Sequence, residues 1–286
     1  MDNEIKFKDT NVALIGVGLM GGSILKALKS QESRPKSITA FDINNDILAK
    51  IERKGLADIA TDDAKTALKD ADLVVIALYP KLAIEFVKNN ANSFKKGCVI
   101  TDICGVKREI EEGIPSVLPE GVIFVGGHPM AGREHKGFNY STPDLFLGCK
   151  YIITGGEKNA VKLVSEFADI IGANKIVFSS SDKHDEMIAY TSQLPHVLSV
   201  AYMLCADARN VEDFSAGSFR DITRVAMIND EMWSELFLEN KDKLLEEIRS
   251  LKDGLEEIEN LIEQEKRDKL RSEMRRAADM REGIMG

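Results

Sequence analysis

The chain has 286 residues, of which 44% are hydrophobic and 30% are charged. That balance is typical of a folded globular protein and excludes an intrinsically disordered chain. At roughly 100–200 residues per domain, the length predicts two domains. The formal net charge of −9 excludes a broad nucleic-acid-binding surface, because neutralising phosphates requires clustered cations.

The N-terminal stretch MDNEIKFKDT carries charges of both signs and no apolar run, so it does not resemble a secretory signal. The longest apolar stretch, residues 73–79, is far shorter than the roughly 20 residues that cross a bilayer. The four cysteines form no CxxC pair and show no metal-ligand spacing with the four histidines. We therefore expect a cytoplasmic protein with reduced thiols, no metal and no membrane partner.

The first part of the chain alternates short, continuously apolar runs with helix-like segments. Such runs are typical of strands that are buried on both faces of a sheet. Alternation of strands and helices predicts an α/β fold with a mostly parallel, doubly wound sheet. The predicted strands cover residues 11–17, 37–43, 73–78, 98–103, 122–127, 151–154 and 175–180, and helices are predicted at 20–29, 82–89 and 160–171.

The pattern changes after Ser181, where no further strand is predicted. Residues 182–208 are predicted to form one long helix that is interrupted at Pro195. Farther on, apolar residues recur at alternating steps of four and three, and we call them the apolar seam: Leu244, Ile248, Leu251, Leu255, Ile258 and Ile262.

The apolar seam predicts either an intrachain packing face or a homodimer surface. Gly254 lies within it and is expected to divide the segment into two helices. These observations place a domain boundary near Ser181. They predict a first, sheet-containing domain at 1–181 and an all-helical second domain at 182–286.

The first predicted strand leads directly into Gly16-Val17-Gly18-Leu19-Met20-Gly21, a GxGxxG motif. Gly16 allows a tight turn, Gly18 lets a pyrophosphate approach the backbone, and Gly21 lets the helix pack closely on the strand. Leu19 and Met20 begin that helix, whose free N–H groups favour phosphate. The alternative is a glycine turn without a nucleotide. The strand before the motif and the helix after it favour a dinucleotide site.

Asp42 ends the second predicted strand, about 20 residues after the glycines. A carboxylate at this position accepts hydrogen bonds from ribose hydroxyls and repels a 2′-phosphate. The next residues are Ile43, Asn44 and Asn45, so no cation follows immediately. The pattern therefore predicts NAD as the cofactor, in preference to NADP.

His128 lies in the segment GGHPMAG, directly after the predicted strand at 122–127. Ligands of open α/β sheets bind beyond the carboxyl ends of strands. An unperturbed histidine pKa of about 6.5 suits a general base at neutral pH. We expect His128 to act chemically, against the alternative of an ordinary loop histidine. Glu134 follows on the same loop, whereas His135 has no signal beyond that of a solvated residue.

His196 ends the segment SQLPH. Pro195 would kink a helix here and free backbone carbonyls close to His196. This indicates a binding role for the histidine, although a core or surface histidine explains the pattern equally well.

Arg220 and Arg224 lie in FRDITR, four residues apart, so they would share one face of a helix. Two guanidiniums on one face can bind a carboxylate substrate. The alternative is a pair of surface arginines in salt bridges with Asp221 or Glu231. Trp233, the one tryptophan, follows this segment.

Taken together, these segments resemble the prephenate and arogenate dehydrogenases of tyrosine biosynthesis. The resemblance extends from residue 12 to about residue 241 and rests on GVGLMGGS, TDICGVK, GGHPMAGRE, SQLPH, FRDITR and FLENK in this order. It implies a Rossmann-type nucleotide-binding domain, followed by a helical substrate and dimerisation domain, and hence a homodimer. It also implies NAD-dependent oxidative decarboxylation of prephenate to 4-hydroxyphenylpyruvate, CO₂ and NADH.

The resemblance also implies roles for individual residues. His128 matches the catalytic histidine that accepts the substrate's hydroxyl proton, and Arg224 matches the arginine that binds a substrate carboxylate. Further substrate-pocket positions are matched by Arg220, His196, Glu134 and Trp233. The cofactor-site positions are matched by Gly16, Gly18, Gly21 and Asp42.

Two positions depart from the family pattern. Gly105 stands where the family has a serine near the substrate hydroxyl, and Gln193 stands where it has the first histidine of SHLPH. These departures leave arogenate open as the substrate. A β-hydroxyacid dehydrogenase would need a catalytic lysine on the first long helix after the sheet, where Lys183 is present. A nucleotide-binding regulator without chemistry is the third alternative.

Overall fold

An eight-stranded sheet forms the first part of the computed structural model, which describes residues 6–133, 135–205 and 211–285. The strands are β1 (Asn11–Ile15), β2 (Ser37–Phe41), β3 (Ile59–Thr61), β4 (Leu73–Ile76), β5 (Val99–Asp102), β6 (Ile123–Pro129), β7 (Lys150–Thr154) and β8 (Lys175–Ser179). They lie in the order β3-β2-β1-β4-β5-β6-β7-β8. Neighbouring strands are parallel except β6 and β7, which pair antiparallel.

Helices cover both faces of this sheet. Side chains alternate across a strand, so Val12 and Leu14 of β1 pack into one apolar core and Ala13 and Ile15 into another. The helices of this part are α1 (Leu19–Ser30), α2 (Asn45–Arg53), α3 (Ala64–Leu68), α4 (Pro80–Asn89), α5 (Arg108–Gly113) and α6 (Lys158–Ile170). The predicted α/β fold with a doubly wound sheet is therefore confirmed.

Two features of the sheet were not predicted. β3 is a strand of three residues without a buried side chain, so it lacks the apolar run that identifies the others. The direction of β7 depends on its connection to β6, because parallel neighbours need a crossover that is usually a helix. Among the described residues of the 130–149 connection there is no α-helix, and the chain turns back beside β6.

Only helices follow β8 in the described part of the chain. They are α7 (Ser181–Ile188), a π-helical turn (Ala189–Gln193), α8 (Leu194–Cys205), α9 (Gly217–Thr223), α10 (Asp230–Glu239), α11 (Lys241–Glu263) and α12 (Arg267–Met285). None of the described helices is long and apolar enough to cross a membrane. The domain boundary at residue 181 stays a prediction.

The helix interruption predicted at Pro195 takes the form of the π-helical turn just before it. The Leu194 N–H donates to the Ala189 carbonyl, one residue farther back than in an α-helix. Proline has no N–H, and its ring crowds the carbonyl four residues earlier. A widened turn relieves this crowding without ending the helix.

The break predicted at Gly254 is wrong, because α11 continues through this glycine without interruption. A glycine inside a helix costs only about 1 kcal/mol relative to alanine, and good helix formers surround it here. The apolar seam starts in the core, where Leu244 is buried. Farther along α11 the seam is exposed, and 57% of Leu255 and 59% of Ile262 are accessible.

Candidate active site

A cleft of about 660 Å³ lies between the carboxyl edge of the sheet and the helices that follow β8. Most of the predicted site residues line it: Gly16, Gly18, Leu19, Met20, Gly21, Asp42, His128, His196, Arg224 and Trp233. Arg220 does not line it, and Glu134 lies outside the described residues. Residues that are far apart in the sequence therefore meet in one cavity.

The glycine loop at one end of the cleft has the geometry that its motif requires. Gly16 has a φ of +86°, which residues with a Cβ rarely adopt. A Cβ on Gly21 would lie 2.0 Å from the Gly16 carbonyl oxygen, so only glycine allows α1 to approach β1 this closely. A Cβ on Gly18 would meet no atom within 4 Å. The backbone at Gly18 therefore faces open space in which a pyrophosphate fits.

Asp42 is held in place beside this loop. Its carboxylate accepts one hydrogen bond from the Val17 N–H at 2.8 Å and another from the Asn44 N–H at 2.9 Å. Each carboxylate oxygen can accept a further hydrogen bond, so both remain available to ribose hydroxyls. The loop and this carboxylate fit the diphosphate and the adenosine ribose of NAD.

His128 is half-buried at the end of β6 and contacts a second histidine. The His128 Nδ1 lies 2.8 Å from His184 Nε2 on α7, and the two rings meet edge to face with an interplanar angle of 64°. The other nitrogen of His184, Nδ1, lies 2.7 Å from Asp185 Oδ1. Both His184 and Asp185 are buried. Three side chains thus form a continuous hydrogen-bonded chain that ends in the cleft.

The loop between β5 and α5 holds the buried end of that chain. The two Asp185 oxygens accept hydrogen bonds from the backbone N–H groups of Lys107 and Arg108, at 2.8 and 2.9 Å. The Arg108 guanidinium in turn binds the carboxylate of Asp242 on α11, at 2.8 and 2.5 Å. Asn240 donates to the Asp185 carbonyl at 2.8 Å. The first helix after the sheet is therefore fastened to the sheet's carboxyl edge.

A buried ion pair between Lys107 and Asp102 lies beneath the same loop. Asp102 also accepts a hydrogen bond from the Gly127 N–H, immediately before His128, at 3.1 Å. A buried pair of this kind is destabilising to break, because it would leave one charge without a partner. Here it positions the backbone that carries the histidine.

These surroundings decide which groups are charged. Burial lowers the pKa of His128 well below its ordinary value, and His184 and the Lys107 ammonium lower it further. The pKa of His184 is also lowered, chiefly by burial, although the hydrogen bond that it donates to Asp185 acts in the opposite direction. Burial by itself would raise the pKa of Asp185, but its hydrogen bonds with His184 and the backbone lower it. At neutral pH both histidines are neutral and Asp185 is ionised.

An aromatic wall lines the cleft on the side of the helices that follow β8. The rings of His196 and Trp233 stack with their centroids 3.8 Å apart, and Trp233 also contacts Phe237. The His196 Nδ1 lies 2.8 Å from the Ser192 carbonyl oxygen in the π-helical turn, as the kink at Pro195 predicted. The stack offers a flat surface on which a six-membered ring can lie.

The two arginines of FRDITR lie one helical turn apart, because the Arg224 N–H donates to the Arg220 carbonyl at the end of α9. They differ in their relation to the cleft. Arg224 lines the cleft, as do Arg133 and Lys136. Arg220 is exposed on α9 away from it, and we assign it no contact with a substrate.

The structure shows what surrounds Gln193 and Gly105, the two positions that depart from the family pattern. Gln193 is buried, where its side chain donates to the Leu236 carbonyl at 2.9 Å and accepts from Asn240 at 2.8 Å. It therefore joins the π-helical turn to α10 and α11. A Cβ on Gly105 would meet Leu236 side-chain atoms at 3.5 Å, which is ordinary contact. A serine would fit at that position.

The sequence did not predict a role for His184 or Asp185. The one available signal is a histidine next to an aspartate in the first helix after the last strand, and nothing local shows that either is buried. His135, predicted to be solvated, lines the cleft and stacks on Tyr140 with a centroid distance of 4.6 Å. Lys183, which a β-hydroxyacid dehydrogenase would use, is exposed and pairs with Glu186 at 2.8 Å, outside the cleft.

Known proteins match this chain along most of its length. The family profile described as "Prephenate dehydrogenase, nucleotide-binding domain" matches residues 24–177, and "Prephenate dehydrogenase, dimerization domain" matches residues 180–276. The chain belongs to the prephenate dehydrogenase family. The prephenate dehydrogenase of Bacillus subtilis is 32% identical over 289 residues, covering 98% of this chain and 77% of that protein. The cyclohexadienyl dehydrogenase of Zymomonas mobilis is 31% identical, covering 82% of each chain.

Solved structures of the prephenate dehydrogenase family have the same fold. The structure of the Aquifex aeolicus prephenate dehydrogenase in complex with hydroxyphenyl propionate and NAD+ has a TM-score of 0.86 and 28% identity, covering 96% of this chain and 98% of that chain. The Synechocystis arogenate dehydrogenase has a TM-score of 0.81 at 21% identity, a similarity of fold. The predictions of the family, of a dehydrogenase and of NAD as its cofactor are confirmed.

The contrast between Gly18 and Gly21 gives a matched test of the nucleotide site. Gly18→Ala adds a Cβ to open space, so the melting temperature should stay at the wild-type value while the Kd for NAD rises. Gly21→Ala forces a Cβ against backbone and should lower the free energy of unfolding by about 1–3 kcal/mol. Urea unfolding and NAD titration of both variants check this. Equal NAD affinity for Gly18→Ala and wild type would contradict the assignment of the loop.

Proposed function

We propose that the chain catalyses the oxidative decarboxylation of prephenate, with NAD as the oxidant, to 4-hydroxyphenylpyruvate and CO₂. The observation that carries the proposal is the meeting in one cleft of the glycine loop, the neutral His128 and the cationic Arg224. When bound, NAD accepts a hydride from the ring carbon that bears the substrate hydroxyl. The chain's own residues bind the substrate, orient it and move the hydroxyl proton.

His128 is the residue that takes the proton. It is the next-to-last residue of β6, lines the cleft and is neutral, so one ring nitrogen can accept a proton from the substrate hydroxyl. Loss of that proton and of a hydride converts the ring carbon that bears the hydroxyl to a ketone, which is conjugated with the two ring double bonds. The ring carboxylate then leaves as CO₂. His128 returns the proton to the same oxygen as the ring becomes aromatic, so the reaction consumes and releases no net proton.

The charges of the cleft support a dianionic substrate. Arg133, Lys136 and Arg224 line its wall, whereas Asp42, at the nucleotide end, is the one carboxylate among the described lining residues. Prephenate carries two carboxylates, and arogenate carries an additional ammonium group that would meet these cations. The arrangement therefore supports prephenate over arogenate. Arg224 binds the side-chain carboxylate, because a cation on the departing carboxylate would oppose its loss of charge.

One assay matrix tests the reaction directly. Prephenate or arogenate is supplied with NAD or NADP, and reduced cofactor is followed by its absorbance. We expect prephenate with NAD to give the highest kcat/KM. A higher kcat/KM for arogenate would show that the ammonium group is accepted and would overturn the choice of substrate. Binding of NAD without turnover of either substrate would identify a nucleotide-binding regulator.

The base is tested by His128→Asn, which keeps a hydrogen-bonding side chain but has no basic nitrogen. Loss of general-base catalysis should reduce kcat by roughly 10²–10⁴-fold. The Kd for NAD should hardly change, because the glycine loop and Asp42 supply the contacts expected for its diphosphate and ribose. Steady-state kinetics and NAD titration of the same preparation give both values. A kcat close to wild type would remove His128 from the mechanism.

The two arginines form a matched pair for testing carboxylate binding. Arg224→Ala should raise the KM for prephenate by about 30-fold or more, since removing one partner of a desolvated charge pair costs roughly 2–5 kcal/mol. Arg224→Lys should restore little, because an ammonium cannot make two parallel hydrogen bonds. Arg220→Ala is the control and should leave the KM unchanged. A change below about threefold for Arg224→Ala would contradict the role.

We also propose that the chain forms a homodimer through its helical part. The exposed end of the apolar seam, with Leu255 and Ile262, supports this, as does the match of residues 180–276 to a dimerization domain. Two copies packed along the seam would remove these side chains from water. The cytoplasmic location expected from the sequence stays a prediction.

Sedimentation checks the dimer. Wild type should sediment as a dimer at micromolar concentration, and the double variant Leu255→Glu with Ile262→Glu should shift it toward monomer, because charges would be buried in the contact. Lys252→Glu, an exposed position of α11 outside the apolar seam, is the control and should stay dimeric. A monomeric wild type would overturn the proposal.

A further inference from the structure

We infer that His184 and Asp185 are positioning residues that set the tautomer of His128 and share the proton it takes up. The inference rests on the proposed function in one respect, the role of His128 as the base. It is carried by the two contacts of the hydrogen-bonded chain, 2.8 Å between the histidines and 2.7 Å between His184 and Asp185.

The direction of each hydrogen bond follows from the buried end. Asp185 is ionised and can only accept, so the proton of this contact lies on His184 Nδ1. A neutral histidine carries one ring proton, which makes His184 Nε2 an acceptor. The His128 nitrogen that faces it, Nδ1, must then be the donor. The remaining nitrogen of His128, Nε2, therefore has its lone pair free of a proton.

This tautomer is the one that a general base needs. Without His184, a neutral imidazole could place its proton on either nitrogen, and the form with a proton on Nε2 could not accept another there. The buried contact removes that form. It also fixes the plane of the His128 ring, because the two rings meet at an interplanar angle of 64° with a centroid distance of 5.0 Å.

The hydrogen-bonded side chains of His184 and Asp185 also stabilise His128 after it has taken up a proton. When the substrate O–H bond breaks and an N–H bond forms at His128 Nε2, the Nδ1 proton can shift toward His184 Nε2. The positive charge then lies on His184, in contact with the Asp185 carboxylate, instead of on His128 alone. When the ring oxygen takes its proton back, each shift is reversed, and no proton is gained or lost by the protein.

The charged groups around His128 and His184 explain why the positive charge is shared between the two rings. Lys107 faces both histidines, and its ammonium opposes a positive charge on either of them. Asp102 neutralises Lys107 in part through their buried ion pair. Arg108, whose charge is balanced by Asp242, lies 3.5 Å from Asp185. Asp185 is therefore the nearest carboxylate that can balance a proton on the histidine pair.

A purely structural role for the pair is the competing interpretation. The hydrogen bonds of Asp185 with the β5–α5 loop fasten α7 to the sheet, so its loss could simply loosen the site. A loosened site would lower stability and raise the KM for prephenate. It would not change the pH at which the base becomes protonated. The two interpretations thus differ in their pH profiles.

The tautomer can be measured without any substrate. The chain has four histidines, so ¹⁵N-histidine spectra of the wild-type protein can be assigned with single substitutions of the other three. We expect His128 to be neutral at pH 7, with Nδ1 protonated and Nε2 unprotonated. A proton on Nε2 would overturn the inference, whatever the enzyme turns over. The expected tautomer in a protein that does not oxidise prephenate would instead overturn the proposed function alone.

Kinetics test the second half of the inference. Asp185→Asn should lower kcat by about 10²-fold, with a KM for prephenate within about threefold of wild type. Because the carboxylate stabilises the protonated histidine pair, its removal should move the acid limb of kcat/KM to lower pH. Glu186→Gln is the matched control: the same chemical change at the next residue of α7, whose side chain is 45% exposed, expected to leave kcat and the pH profile unchanged.

His184→Gln provides an independent variant, because glutamine can form hydrogen bonds at this position but cannot take up a proton. Its kcat should fall about as far as that of Asp185→Asn. The kcat of the double variant should be little lower than that of either single variant, since both changes interrupt the same series of hydrogen bonds. Multiplicative losses, or an acid limb at the wild-type pH in both variants, would overturn the inference in favour of the structural role.

Discussion

The buried carboxylate of Asp185 is the interaction on which the rest of the site depends. It accepts hydrogen bonds from two backbone N–H groups of the β5–α5 loop and lies 2.7 Å from His184. Three donors thus converge on a group that is removed from water, and leaving such a group unsatisfied would cost several kcal/mol. The helical part of the chain is consequently fixed to the sheet at the point where His128 enters the cleft.

The short segment from Asp102 to Arg108 contributes to the site in several ways. Asp102 and Lys107 form a buried pair that supports the backbone before His128, while Lys107 helps to keep the histidines neutral. The backbone of the same segment holds Asp185. A substitution here would alter position and charge together, which is why the contributions of these residues will not add independently.

Charge is unevenly distributed around the cleft. A carboxylate, Asp42, lies beside the glycine loop, whereas three cations, Arg133, Lys136 and Arg224, also line the cavity. The chain as a whole is acidic, with a net charge of −9, so this local excess of cations does not follow from composition. It matches a cofactor bound through its ribose hydroxyls at Asp42 and an anionic substrate bound by the cations.

The sequence by itself determined the features that depend on neighbouring residues. Apolar runs identified every strand except the three-residue β3, and GxGxxG with Asp42 identified the nucleotide end of the cleft. His128 was found because a histidine directly after a predicted buried strand must lie at the sheet's carboxyl edge, and it does so although β6 extends through Pro129. These conclusions hold because glycine conformation and side-chain alternation act over a few residues.

Only the tertiary structure decided which distant side chains meet. His128 and His184 are 56 positions apart, and their contact depends on how α7 packs against the sheet. Arg224 lines the cleft and Arg220 does not, although the two lie one helical turn apart and their spacing suggested a joint role. α11 passed through Gly254 because a local cost of about 1 kcal/mol is small beside the rest of a long helix. Local sequence patterns indicate which conformations are favourable, whereas packing and the hydrogen bonding of buried polar groups decide which of them the protein adopts.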